Sequence, residues 1–260
     1  MKKLFAMILA LVLALTCFTA CGGSASGSDL KTIQKNGKLV VGITDYAPMD
    51  YKDENGQWTG FDAEFAQLFA KELGVDCEFY VISDWGKKFL ELDTKQIDAV
   101  WNGMTITEEA TLNASVSDAY VVNAQVVVMK ADALASYPDA ASMKDLVFAV
   151  ENGSAGQDAA VSIGATNIVA VQDQAAALME VAAGTSDACV IDITMANAMT
   201  GEGTSYADLG YEVSLTSEEY GVAFRKESDL TAKFNEFMDK LIADGTLEQL
   251  AAKYNLTLAG

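Results

Sequence analysis

The sequence predicts an α/β protein built on mainly parallel sheets, and three observations support this fold class. Short apolar runs typical of buried strands alternate with segments whose apolar residues recur at helical spacing. This alternation occurs twice, once before residue 101 and again after residue 124. A length of 260 residues, 51% of them hydrophobic, is enough for one large domain or two modest ones. Because parallel strands need a crossover connection, such alternation favours parallel sheets.

The first block of elements opens with a predicted strand at 38–43, KLVVGI. A helix follows over 61–73, where apolar residues recur three or four positions apart and Gly74 provides the stop. The remaining predicted elements of this block are a strand at 77–82, a helix near 86–92 and a strand at 97–101.

The second block repeats the order of strands and helices. Its predicted strands lie at 124–130, 146–150, 167–171 and 188–192, and its helices at 155–163 and 172–183. Two further helices, at 230–243 and 247–254, are separated by Gly245 and follow this block.

The N-terminal residues have the pattern of an export signal. Lys2 and Lys3 precede an apolar run that extends over 17 residues to Ala20. The alternative interpretation is a membrane-spanning helix, for which this length is at the lower limit. The stretch FTAC at 18–21 resembles a bacterial lipobox, although Phe18 stands where leucine is usual. We expect a signal peptide at 1–20, lipidation of Cys21, and a lipidated, flexible tether at 21–29. The protein is then extracytoplasmic and held at the cell membrane by its lipid.

Composition excludes several classes of function. The chain has no histidine, which removes Ser-His-Asp and Cys-His catalysis and histidine-ligated metals, and we expect no cofactor and no metal. A balance of 17 basic against 37 acidic residues, net −20, is opposite to that of a nucleic-acid binder. Cys77 and Cys189 lie in apolar, strand-like runs, so we expect buried free thiols and not a disulfide.

Six strings along the chain resemble, in order, the polar amino-acid solute-binding proteins of ABC importers (extracytoplasmic solute-binding proteins of family 3). They are KLVVGITDYAPMDYKDENGQWTGFD at 38–62, WNGMTIT at 101–107, GSAG at 153–156, SDACVID at 186–192, YGVAFRKES at 220–228 and ADGTLEQLAAKYN at 243–255. The resemblance implies a two-lobed periplasmic-binding-protein-like fold of type 2. Lobe 1 comprises 30–123 plus 224–260 and lobe 2 comprises 127–219, with hinge strands near Gln125 and Gly221.

The resemblance also implies a set of ligand-binding residues between the lobes. Aromatic rings cover the ligand, polar groups of WNGMTIT line its rim, a helix start receives an anion, and a carboxylate pairs with its ammonium. The residues that match these positions are Tyr46, Trp85, Asn102, Gly103, Thr105, Glu151, Ser154, Ala155 and Asp192. Trp101 is predicted equally well as a core residue or as part of the site.

One position departs from the family pattern. The family usually has TIT-x-x-R, whose arginine holds the ligand carboxylate, but this chain has Ala110 there. The sole arginine, Arg225, matches no ligand-clamping position. An unpartnered buried carboxylate costs roughly 3–5 kcal/mol, unless the Ser154–Ala155 amides or a lysine compensate. The acidic, aromatic site therefore favours a cationic amine or an atypical amino acid. An ordinary amino acid in a rearranged site remains the alternative, as does loss of binding.

These features predict a monomeric binding protein, not an enzyme, which captures a small solute and delivers it to an ABC permease. Two alternatives remain open. One is a ligand-sensing domain that acts through a partner receptor. The other is a dehydratase-like enzyme derived from a binding protein, which the absence of histidine and of a clamping arginine disfavours.

Overall fold

A computed structural model of the protein describes residues 28–260. The predicted signal peptide at 1–20, the lipidation of Cys21 and nearly all of the predicted tether lie outside the described residues. Asp29, which the predicted tether includes, is the first residue of a helix, and the Ser28 side chain caps this helix by accepting the Lys31 N–H. Between residues 28 and 260, no helix has both the length and the apolar character needed to cross a membrane.

Nine α-helices and fourteen strands occur in the described residues. The helices are α1 (Asp29–Asn36), α2 (Phe61–Leu73), α3 (Lys88–Asp93), α4 (Glu108–Asn113), α5 (Ala155–Ser162), α6 (Gln174–Ala183), α7 (Ile193–Met199), α8 (Leu230–Ala243) and α9 (Thr246–Lys253). The strands are β1 (Lys38–Ile43), β2 (Tyr51–Lys52), β3 (Trp58–Thr59), β4 (Asp76–Val81), β5 (Ala99–Val100), β6 (Ser115–Val116), β7 (Val121–Asn123), β8 (Gln125–Lys130), β9 (Val147–Glu151), β10 (Asn167–Val171), β11 (Ala188–Asp192), β12 (Leu209–Ser214), β13 (Glu218–Tyr220) and β14 (Ala223–Phe224).

Ten of the strands form two five-stranded sheets. The first has the order β4-β1-β5-β14-β6 and the second the order β10-β9-β11-β8-β12. In each sheet two of the four pairings are parallel and two are antiparallel. The predicted α/β class is confirmed, with mixed sheets. Antiparallel pairs arise because β8 and β14 enter their sheets directly from short connecting strands and not through a crossover helix.

The chain passes between the two sheets twice. It leaves the first sheet through β7 and returns through β13, and these two strands pair antiparallel with Asn123 opposite Glu218 and Val121 opposite Tyr220. The first sheet therefore combines strands from both ends of the described chain, whereas the second uses one continuous stretch.

Aromatic packing fixes helix α2 on the first sheet. Phe65 and Phe69 of α2 face Trp101 and Phe234, and the Trp101 ring centroid lies 5.0 Å from that of Phe65 and 4.9 Å from that of Phe234. Each such buried side chain contributes about 1.5–3 kcal/mol. Of the two predicted roles for Trp101, the structure therefore supports the core residue.

The two cysteines among the described residues are free thiols on different sheets. Cys189 on β11 is buried and Cys77 on β4 is half-buried. The predicted free thiols are confirmed, although only one of them is fully buried.

Candidate functional site

A small polar cavity lies between the two halves of the molecule. The second sheet contributes the ends of β9 and β11 to its wall, and the first half contributes the segments that follow β4 and β5. Its volume is about 30 Å³, room for about two water molecules. Eight of the nine predicted ligand-binding residues line it, namely Trp85, Asn102, Gly103, Thr105, Glu151, Ser154, Ala155 and Asp192. A solute of several heavy atoms therefore needs the lining side chains or the two halves to move apart.

The cavity residues come together because they follow strand ends. Strand β9 ends at Glu151, and Gly153 then turns the chain with φ 71° so that Ser154 caps helix α5. The Ser154 hydroxyl accepts the N–H of Gln157 at 3.1 Å. Strand β11 ends at Asp192 in the same sheet. The carboxyl ends of strands in open α/β sheets are the usual place for ligands.

Asp192 is only 3% exposed and is held by three side-chain amides. Its Oδ1 accepts hydrogen bonds from Asn123 and from Gln125, the latter at 2.7 Å, and its Oδ2 accepts one from Gln174. A carboxylate has about four acceptor sites, so one remains on Oδ2. Burial, followed by the nearby Glu218, raises the pKa of Asp192 to about 6.

Glu151 places a second carboxyl group at the cavity. It is buried, and its Oε1 has no hydrogen-bond partner among the described residues. Burial, followed by the charges of Asp192 and Asp173, raises the pKa of Glu151 well above its usual range. Such a group is stabilised by any donor or cation that reaches it.

The two predicted aromatic covers are placed differently. Trp85 lines the cavity, whereas Tyr46 is buried and does not. The Tyr46 hydroxyl is bonded to the hydroxyls of Thr194 and Tyr220. Its ring lies against Gly103, where an added Cβ would stand 2.6 Å from Cε1. Tyr46 thus supports the Gly103 turn, and its contact with a ligand stays a prediction.

The Asn102 side chain is hydrogen-bonded to residues of the first half of the molecule. Its Oδ1 accepts the Thr44 hydroxyl at 2.6 Å, and its Nδ2 donates to Asp50 at 2.7 Å. The Gly103 N–H donates to Asp62 at 2.6 Å. The Asn102–Gly103 segment therefore presents mainly backbone to the cavity, and glycine permits the close approach.

Thr105 connects the cavity rim to the strands that join the sheets. Its hydroxyl donates to Glu218 Oε1 at 2.9 Å. Since Glu218 also accepts amide hydrogen bonds from Asn123 and Gln125, at 2.7 Å each, the Asp192 network and the Thr105 rim share one acceptor. The Thr105 hydroxyl thus already has a hydrogen-bond partner within the protein.

Ala110, at the position of the family's arginine, is buried in helix α4. It belongs to the same apolar cluster as Trp85, Phe89 and Met104. Ala110 itself does not line the cavity, and α4 contributes the acidic Glu109 to its wall.

Arg225 has a structural role away from the cavity. Its guanidinium pairs with Asp29 at 3.1 Å and with Asp98 at 2.9 Å, and it donates to the Ile97 carbonyl at 2.7 Å. These contacts tie α1 and the segment before β5 to β14. Asp45, the acidic residue before Tyr46, is exposed and does not line the cavity.

Lys88 is one of several cavity residues that the sequence did not single out, and the acidic residues Glu109 and Asp158 are two others. Its ammonium is 5.2 Å from the Trp85 ring centroid and 4.9 Å from that of Phe89, and it donates to the Gly153 carbonyl at 3.1 Å. Burial lowers the pKa of Lys88. A weak signal was present, because a residue three positions after Trp85 on a helical turn shares its face. Gln174, which holds Asp192, was also missed.

The loop at 84–88 touches the loop at 152–153 across the cavity. Besides the Lys88–Gly153 bond, Asn152 Nδ2 donates to Asp84 Oδ1 at 2.9 Å. A Cβ on Gly153 would lie 2.5 Å from the Gly86 Cα, so this approach requires glycine. The described residues contain no cluster of histidine, cysteine and carboxylate side chains suited to a metal ion.

Two mixed sheets joined by a pair of strands, with a polar cavity at their strand ends, define the class of two-lobed solute-binding proteins. The family model of bacterial extracellular solute-binding proteins, family 3, matches residues 39–257. The chain belongs to this family.

Relatives of known name or structure cover nearly all of the chain. The arginine-binding extracellular protein ArtP of Bacillus subtilis (strain 168) is 31% identical over 98% of both chains. A mutant of ArgBP from T. maritima has a TM-score of 0.81 at 31% identity, covering 86% of this chain and 98% of that one. The ancestral amino acid-binding protein AncCDT-1, described as a precursor of cyclohexadienyl dehydratase, has a TM-score of 0.80 at 33% identity and covers 87% and 99%.

These relatives are named as binding proteins, and the protein is likewise a solute-binding protein and not an enzyme. Family members act outside the cytoplasm, and relatives include amino-acid-binding proteins of ABC transporters. The general role of the chain is therefore extracellular solute binding for amino-acid transport.

Proposed function

We propose that the protein is an extracytoplasmic, lipid-anchored binding protein that captures an amino acid or an amine-bearing small solute and delivers it to an ABC permease. The proposal rests chiefly on two buried carboxyl groups that face one cavity. Asp192 keeps one hydrogen-bond acceptor site after it accepts hydrogen bonds from three side-chain amides. Glu151 has an oxygen without a hydrogen-bond partner among the described residues. An ammonium group supplies hydrogen-bond donors for these oxygens and adds to the positive charge that Lys88 already places near Glu151.

Binding would occur between lobe 1, residues 30–123 plus 224–260, and lobe 2, residues 127–219. Support for this comes from the cavity wall, to which Trp85 and Thr105 contribute from one half and Glu151 and Asp192 from the other. A ligand that touches both lobes has higher affinity for the closed arrangement and shifts the population toward it. A permease can then distinguish loaded from empty protein by shape.

The ligand class follows from two observations that point in different directions. Ala110 removes the usual carboxylate partner, and an acidic, aromatic wall suits a cationic amine. The names of the relatives, among them the arginine-binding ArtP, favour an amino acid. Amino acids and amines both have an ammonium group, which Asp192 would hold. In this proposal the protein is a monomer, and Cys21 carries its lipid anchor.

The test is a thermal-unfolding panel on the purified protein with amino acids, small amines and quaternary ammonium compounds. A ligand at 100 times its Kd adds about 2.7 kcal/mol, and at roughly 2–4 °C per kcal/mol this raises Tm by about 5–10 °C. We expect at least one amino acid or amine to reach this shift. If no compound of either class changes Tm, the proposed function is wrong.

A further inference from the structure

Lys88 is a buried cation without a counter-ion among the described residues. It is 5% exposed. Three acidic residues that line the same cavity act on Lys88 electrostatically, namely Glu109, Glu151 and Asp158. None of them, nor any other carboxylate in the part of the chain that the structure describes, lies within salt-bridge distance of its ammonium. The ammonium has three donors, of which one meets the Gly153 carbonyl at 3.1 Å and a second reaches the Trp85 carbonyl only at 3.5 Å. A lysine normally extends its head into water. This one is held at the cavity wall, where an anionic group of a ligand is the missing partner.

The groups beside Lys88 suit the same anion. Because its ammonium bonds to the Gly153 carbonyl, it lies next to the start of helix α5, where Ser154 is the cap and Ala155 the first helical residue. Both residues line the cavity. The first amides of a helix have no carbonyl partner within the helix and favour negative charge. A carboxylate at this end of the cavity is thus offered an ammonium from one half and helix amides from the other.

The position of Ala110 fits this arrangement. The rings that the Lys88 ammonium faces, Trp85 and Phe89, pack in the same apolar cluster as Ala110. The chain therefore has a small side chain on α4, which does not line the cavity, and a cationic side chain on α3, which does. The positive charge that α4 lacks is supplied one helix earlier.

We propose that Lys88 binds the ligand carboxylate, and that the ligand is consequently an α-amino acid and not a bare amine. This inference rests on the proposed function and narrows its ligand class. The α-ammonium contacts Asp192, and the carboxylate contacts Lys88 and the amide of Ala155, since the Ser154 N–H already donates to the Glu151 carbonyl at 3.3 Å. The absence of the usual arginine at Ala110 favours an amine as ligand only if no other cation faces the cavity, and Lys88 is such a cation.

A different role for Lys88 predicts the opposite result. If its ammonium occupied the place of a cationic ligand, removing it would free that place and tighten the binding of amines. The two roles therefore differ in the sign of one measurement.

The experiment compares amino acids with the amines that lack only the carboxylate. The probes are L-arginine with agmatine, L-lysine with cadaverine, and L-histidine with histamine, each titrated by calorimetry into the full chain. We expect one amino acid to bind and its amine to bind about 100-fold or more weakly, because a buried ammonium loses its anion. An amine that binds as tightly as its amino acid overturns the inference and leaves the proposed function standing. If neither member of any pair binds and the wider panel produces no shift, both are overturned.

Three variants assign the effect to Lys88. Lys88→Met keeps the length of the stem, and we expect it to weaken binding of the amino acid about 100-fold while changing the Kd of the amine by less than about 3-fold. Lys88→Arg should recover affinity to within about 10-fold, since it restores the charge. Lys87→Met, at an exposed neighbour paired with Asp84, should leave both Kd values unchanged.

Unchanged amino-acid affinity in Lys88→Met, or tighter amine binding by it, overturns the inference. Melting without ligand reports whether Lys88→Met is folded. If it is not, the Lys88→Arg variant and the wild-type comparison of each amino acid with its amine decide the question by themselves.

Discussion

Replacing Asp192 by asparagine removes a negative charge from the cavity while keeping nearly the same shape. The wild-type carboxylate accepts hydrogen bonds from Asn123, Gln125 and Gln174, and its own backbone N–H donates to Gln174 Oε1 at 2.9 Å. An asparagine has one acceptor oxygen and one NH₂ group. If the oxygen stays with Asn123 and Gln125, the new NH₂ group faces the NH₂ group of Gln174.

The substitution has two energetic costs, one for the free protein and one for ligand binding. Gln174 cannot simply reverse its amide, because its oxygen already accepts the backbone N–H of residue 192. At least one buried donor therefore loses its acceptor, which costs about 1–3 kcal/mol. A ligand ammonium loses its charged partner, which costs roughly 3–5 kcal/mol, or about two to three and a half decades in Kd.

Stability without ligand should change far less than affinity. Burial raises the pKa of Asp192 to about 6, so the charge is itself held at a cost near neutral pH. The Asp192→Asn substitution relieves the cost of the buried charge but loses a hydrogen bond, and the two effects on stability oppose each other. We therefore expect Tm without ligand to change by only about a few degrees.

The assay is calorimetric titration at pH 7.5 with whichever amino acid or amine stabilises the wild type, alongside thermal melts with and without it. Asp208→Asn is the matched control, because Asp208 is an exposed partner of Lys130 on the same half of the chain. A Kd for Asp192→Asn within about threefold of wild type, well under one decade, would refute the assignment of Asp192 to the ammonium.

Two further predictions concern closure and pH. Gly153→Ala should weaken ligand binding at least about tenfold, because its Cβ would meet the Gly86 Cα at 2.5 Å. The control is Gly164→Ala, which also lies at positive φ and carries the same backbone strain of about 1–2 kcal/mol. Its Cβ would enter open space, so this variant should bind ligand normally. Equal affinities for the two variants would show that the loop contact is not needed. Tm should fall as pH rises from about 4.5 to 7.5. Burial raises the pKa of Asp62 to about 7 and that of Asp192 to about 6, so the folded protein still holds protons that the unfolded chain has released. Asp62→Asn should flatten this slope in melts across the range, and an unaltered slope would exclude Asp62 as a cause.

Elements with a strong local pattern were predicted within one or two residues. Strands β1, β10 and β11 and helix α8 have the predicted bounds, since each is a run or a periodic face that its own residues define. Helix α1 was missed because it buries only Ile33. The strand predicted at 97–101 contains β5, which is only two residues long. Strand β14 also has two residues and exists through its pairing with distant segments, which leaves no period to detect.

The candidate site divides in the same way. Residues such as Asp192 and Gly103 were found because short strings around them match the family order. Lys88 was missed, since a lysine in a short helix is normally solvated and only the approach of Gly153 from the other half buries it. Tyr46 has the expected sequence position, but contacts with Thr194 and Tyr220 turn its hydroxyl away from the cavity.

The amino-acid sequence by itself determined the fold class, the family, the loss of the usual arginine at Ala110 and the exclusion of histidine chemistry, because each of these depends on residue identity and local order. The tertiary structure decided which charges meet. Three amides gather on Asp192. Among the described residues Glu151 Oε1 has no hydrogen-bond partner, and the Lys88 ammonium at the cavity wall has no carboxylate within salt-bridge distance. Such contacts join segments far apart in the chain, and their energies depend on burial, which arises only when the two halves of the protein come together.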